Sequence, residues 1–70
     1  MADMIASMAG TIFKVLVAAG DDVEAGQDVI VLESMKMEIP LQTEVGGKVT
    51  AVNVEEGQFV NEGEILLVTE

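Results

Sequence analysis

At 70 residues the chain is one domain at most, and a domain this small has little stability to spare. It contains no cysteine and no histidine, which excludes disulfide staples and thiolate metal sites and removes the usual general base near neutral pH. Thirteen acidic residues against three basic ones give a formal net charge of -10, and the only aromatics are two Phe. Such a charge repels phosphate backbones and single strands find almost no stacking platform, so nucleic acid is excluded and a partner with a basic face is expected.

Sixteen Val and Ile against five Leu favour strands, because β-branched side chains pack well on a pleated surface. The opening residues 1–20 are apolar, but Asp3 stands where a basic region would be needed, and Gly10 and Lys14 interrupt the run. The stretch is also too short to span a bilayer, so no export signal or membrane anchor is expected and a soluble, cytoplasmic protein is. A first strand is expected over residues 4–8. A second covers 12–17, where Phe13, Val15 and Val17 alternate with Lys14 and Leu16 and predict one inward face. Further strands are expected over 29–33, 37–42, 48–54 and 65–69; in the fifth, Thr50, Val52 and Val54 alternate with Ala51 and Asn53.

The chain matches itself at an offset of 37 residues. Gly10, Gly20 and Gly26 correspond to Gly47, Gly57 and Gly63. Ile12 corresponds to Val49, Val15 to Val52, Val17 to Val54 and Val23 to Val60. Ile30, Val31 and Glu33 correspond to Leu67, Val68 and Glu70. Each half reads as strand, turn, bridge, turn, strand, with glycines marking the turns and Val23 or Val60 plugging the bridge into the core. Neither bridge carries a GxGxxG or P-loop lysine, and acidic side chains line both, so these glycines are structural rather than a phosphate cradle. Two halves that cannot each bury an apolar face alone predict a quasi-two-fold sandwich or flattened barrel, one domain over residues 1–70.

The segment 33–38, Glu-Ser-Met-Lys-Met-Glu, has no repeat partner. Under quasi-two-fold symmetry its equivalent place holds the chain ends, which puts Lys36 at the pole opposite the termini. A helix is one reading, since Leu32, Met35 and Ile39 fall at helical spacing. Pro40 closes that helix early, however, and residues 29–31 open the segment as a strand. A tight hairpin is the other reading, although such turns normally contain glycine or Asn-Gly and this one has neither. A turn built from locally disfavoured residues marks a candidate site. Physical chemistry alone supports an adaptable recognition knob around one amine, because exposed methionines often serve partner recognition.

Glu33-Ser34-Met35-Lys36-Met37-Glu38, set between the paired Gly-x-x-Val-x-x-Gly bridges, resembles the attachment motif of the biotinyl/lipoyl family. The resemblance runs from Met8-Ala9-Gly10 to Ile65-Leu66, and in size and with its own Met1 the chain is similar to stand-alone attachment proteins of that family. It departs at Ser34, where the family more often has alanine, a change that bears on ligase recognition and leaves the acceptor amine untouched. The resemblance implies an all-β barrel-sandwich hybrid of two four-stranded antiparallel sheets. It implies that a biotin protein ligase joins biotin to Lys36, with Met35, Met37, Glu33, Ser34 and Glu38 read by that ligase. It implies that the biotin then carries carboxylate from a biotin carboxylase to a carboxyltransferase, on a carrier that is itself monomeric and non-catalytic.

The alternative is lipoate on Lys36, placed by a lipoate ligase for acyl transfer. Lipoyl domains usually lack methionines on both sides of the lysine, whereas Glu33, three residues ahead, suits lipoylating enzymes too. An unmodified protein-binding β-module is a further rival. An independent enzyme is the poorest reading, since no nucleophile–base pair is present and the acidic residues lack the spacing of a metal site. Lys14 and Lys48 read as solvated strand positions.

Overall fold

The computed structural model describes residues 2–70; Met1, the first residue of the expected domain, lies outside them. Eight strands follow in chain order: β1 (Ala2–Ile5), β2 (Gly10–Val15), β3 (Asp22–Val23), β4 (Asp28–Ser34), β5 (Met37–Gln42), β6 (Gly47–Val52), β7 (Phe59–Val60) and β8 (Ile65–Thr69). They form two four-stranded antiparallel sheets, ordered β1-β8-β6-β3 and β5-β4-β2-β7. The result is a flattened sandwich, as expected, and the described residues contain no helix.

The 37-residue repeat is a repeat of hydrogen bonds. Gly20 N–H donates to the Val49 carbonyl and Gly57 N–H to the Ile12 carbonyl, both at 2.7 Å. Gly26 donates to Thr43 and Gly63 to Ala6, at 2.7 and 2.9 Å. Inside the bridges, the Gln27 side chain accepts from Glu24 N–H and the Glu64 carboxylate from Asn61 N–H. The two sheets are therefore equivalent, β5-β4-β2-β7 mapping onto β1-β8-β6-β3. Val23 and Val60 plug their bridges at 5% and 0% exposure. The two bridges also supply the short strands β3 and β7, which complete each sheet where the sequence predicts bridges without strands.

Register slips between Met4 and Ile5 in β1–β8, between Asp28 and Ile30 in β4–β5, and at two further places that overturn the expected alternation. Pairing of β2 with β4 slips between Ile12 and Lys14, and pairing of β6 with β8 slips between Val49 and Ala51. These bulges are repeat equivalents, and each shifts the inward phase by one residue. Ile12 and Val49 are buried, while Phe13 and Thr50, expected inward, face solvent. The first strand also lies earlier than expected, at Ala2–Ile5 rather than 4–8. Its end is set by Ala6, which leaves the β8 ladder to bond Glu64 and Gly63 in the second bridge. The second expected strand, 12–17, lies two residues earlier, as β2, and the fifth, 48–54, starts one residue and ends two residues earlier, as β6.

Gly10 and Gly47 are not turn residues: each opens a strand. A Cβ at Gly10 would meet the Glu33 carbonyl oxygen at 2.7 Å and Leu32 Cγ at 2.9 Å, so the glycine is there for close approach of β4. Around it lies one core, with Ile12, Val29, Ile30, Leu32, Val49, Val60, Leu66 and Leu67 fully enclosed. Full burial of each such side chain is worth about 1.5–3 kcal/mol.

Ala2 and Thr69 lie at the end of the molecule away from Lys36. Residues Leu41 to Val45, at the far end of β5 from the β4–β5 turn, border one hollow together with Ala2, Asp3 and Thr69. The molecule measures 31 × 17 × 17 Å, so the turn occupies one pole of an elongated body.

Candidate functional site

Strands β4 and β5 form a two-residue hairpin. Leu32 pairs with Ile39, Glu33 with Glu38 and Ser34 with Met37, leaving Met35 and Lys36 as the loop. Their φ angles are 53° and 65°. Positive φ at both central positions is what a type I′ turn requires, and its favoured residues are asparagine and glycine. Each ordinary L-residue held there costs about 1–2 kcal/mol. The sequence offers no glycine, so the turn spends stability on its side chains, as functional sites do.

Those side chains face solvent. Met35 is 91% exposed and Met37 is 63% exposed, and Lys36 is exposed between them. Met37 continues the inward row of β5 that includes the half-buried Ile39 and buried Leu41, but projects past the rim of the core. Glu33 and Glu38 stand directly opposite one another, both exposed, where like charges destabilise a cross-strand pair. Ser34 is half-buried at the base of the turn. The arrangement presents one primary amine on a rigid ladder, flanked by two thioethers and two carboxylates. Among the described residues no group of three or more carboxylates is placed to hold a metal.

All six residues of the motif therefore come together at one tip. Lys14 and Lys48 lie on strands β2 and β6, away from it. The sequence reading passed over Glu56, whose carboxylate accepts from Val15 N–H at 3.1 Å across 41 residues. It also passed over the exposure of both Phe residues. Their signal was present in the repeat, whose equivalent positions hold Thr50 and Asp22.

Residues 1–69 match the biotin/lipoyl family, described as biotin-requiring enzyme. The chain belongs to the biotinyl/lipoyl family. It is similar to the biotin/lipoyl attachment protein of Bacillus subtilis, with 57% identity over 60 residues covering 86% of this chain and 82% of that one. It is 47% identical to the biotin carboxyl carrier protein of Streptococcus mutans over 64 residues, 91% of this chain but 49% of the relative. Thus it spans about half the length of that second relative. The urea carboxylase of Kluyveromyces lactis contains a domain of the same shape, with a TM-score of 0.91 and 32% identity over 99% of this chain and 6% of that one.

Proposed function

We propose that Lys36 is the attachment point for biotin. The chain is a biotin carrier domain rather than an enzyme, in keeping with its carrier relatives and the carboxylase structures it resembles. The single observation that carries the assignment to Lys36 is the glycine-free turn: Met35 and Lys36 are both held at positive φ, with Lys36 exposed to solvent. A long flexible stem ending in a primary amine fits a carboxyl group to be joined as an amide.

Biotin arrives as an acyl adenylate in a biotin protein ligase. The Lys36 amine, having given up a proton, attacks the acyl carbon. The amide C–N bond forms as the acyl–phosphate bond breaks, AMP departs with the electron pair, and a second proton leaves the nitrogen. Bound there, the ureido ring accepts carboxylate at a biotin carboxylase site and yields it at a carboxyltransferase site. The protein's share is tethering, which raises effective concentration at both sites. The pole position of the turn leaves the sandwich clear of each active-site mouth. In this reading the carrier is cytoplasmic and works as a monomer.

Intact mass of the protein made in biotin-replete cells tests this reading. One biotinyl adduct is expected. A lipoyl adduct would assign the site to acyl transfer instead, and an unmodified chain would leave a protein-binding module.

A further inference from the structure

The repeat provides an internal reference for the surface. Two faces related by quasi-two-fold symmetry share a backbone, so side chains that differ between equivalent positions reflect use rather than folding. On the outer face of β5-β4-β2-β7, Phe13, Leu16 and Phe59 are 41%, 49% and 60% exposed. Their equivalents on the other face are Thr50, Asn53 and Asp22, all polar and exposed. The fold therefore does not need apolar residues there. Moreover, these two Phe are all the aromatics the chain has, and neither enters the core. Each could bury about 150–250 Å² inside a domain short of core.

The other face exposes the apolar pair Ile5 and Ile65, but both aromatic rings lie on the face that carries Lys36. Thr11 pairs with Glu33 on one side and Phe59 on the other, and Glu33 pairs with Glu38. Phe59 thus lies in the same cross-strand row as the two carboxylates flanking the turn, about 10 Å from Glu33 at two strand spacings. Phe13 sits in the bulge beside that row, its ring centroid 5.9 Å from the Lys14 ammonium.

We infer that the outer face formed by Phe13 and Phe59 is the docking surface of the ligase that modifies Lys36. This rests on the biotin-carrier reading. An enzyme that brings an adenylate to the Lys36 amine must cover the turn itself, and a standard interface of about 800 Å² per partner reaches the adjoining row. Glu33, Glu38 and a net charge of -10 around exposed rings fit apolar pockets with a basic rim. A second copy of the chain would set two such charges face to face. A carboxylase docking on this face instead would show as a defect in carboxylation with modification intact.

The test exchanges each ring for its repeat counterpart, as Phe13→Thr and Phe59→Asp, singly and together, in the full chain. Steady-state biotinylation by a purified biotin protein ligase is compared with wild type, with a thermal melt as the folding control. The double variant is expected to melt like wild type and to keep kcat, while KM rises about tenfold or more, as for loss of aromatic anchors. The control Thr50→Ala, on the opposite face, is expected to leave KM unchanged. A folded double variant with wild-type KM overturns the inference, as does a wild-type dimer that the variant dissolves. So does a defect confined to carboxylation of the biotinylated form. Failure of the ligase to modify wild type would defeat the carrier reading and this inference together, whereas a modified wild type with an indifferent variant defeats the docking surface alone.

Discussion

Met35 and Met37 differ in what they touch, and their substitutions should differ accordingly. Met35 contacts almost nothing, at 91% exposure, yet is held at φ 53°. Met35→Asn places a residue suited to the left-handed region at the first loop position. It should stabilise the domain by up to about 1–2 kcal/mol, the cost the methionine now imposes, while lowering the rate of biotinylation. An unchanged melting temperature would show that the turn relaxes without cost. Met37→Gln should leave the melt nearly unchanged and reduce ligase kcat/KM, because its side chain projects beyond the core rim. A variant that melts much lower but is modified normally while folded would make Met37 a packing residue.

At the level of strands and turns, the glycines of the bridges carry a clear cost for replacement. Gly57 has φ 91° with nothing within 4 Å of where a Cβ would stand. Gly57→Val should therefore destabilise by roughly 1–3 kcal/mol through backbone strain alone, read as a lower denaturation midpoint at constant m-value. An unchanged midpoint would refute the strain argument. These turns were legible because glycine at positive φ leaves a mark in sequence, and the repeat doubled that mark. The hairpin was legible for the opposite reason, as a turn lacking the residues turns prefer. The bulges at Phe13 and Thr50 left no such mark. A bulge accommodates curvature between packed sheets, and no residue type enforces it, so period-2 reading put both side chains on the wrong face. Strand β1 was misplaced for a related cause: its end is fixed by bonds from Ala6 to residues 63 and 64, which local pattern cannot reveal. Gly10 and Gly47 repeat like the turn glycines but open strands, and the close approach of the Glu33 and Glu70 carbonyls distinguishes them.

For the molecule as a whole, quasi-two-fold symmetry divides labour between two poles, one holding Ala2 and Thr69 and the other the Lys36 turn. A net charge of -10 should steer a basic partner over distances that salt shortens. Ligase kcat/KM is accordingly expected to fall as ionic strength rises from about 0.01 to 0.15 M, where the Debye length drops from about 30 to 8 Å; a flat profile would remove charge steering from the account. The tip itself supports nothing in the core, so modification should leave the melting temperature of the sandwich unchanged. The central claim is that one lysine among three carries the cofactor. Proteolytic peptide mapping by mass, on wild type and Lys36→Arg from biotin-replete cells, tests it most directly. The account predicts biotin on the Lys36 peptide of wild type and no adduct on a folded variant, since a guanidinium is not a nucleophile near neutral pH. Biotin on Lys14 or Lys48, in either protein, would contradict it.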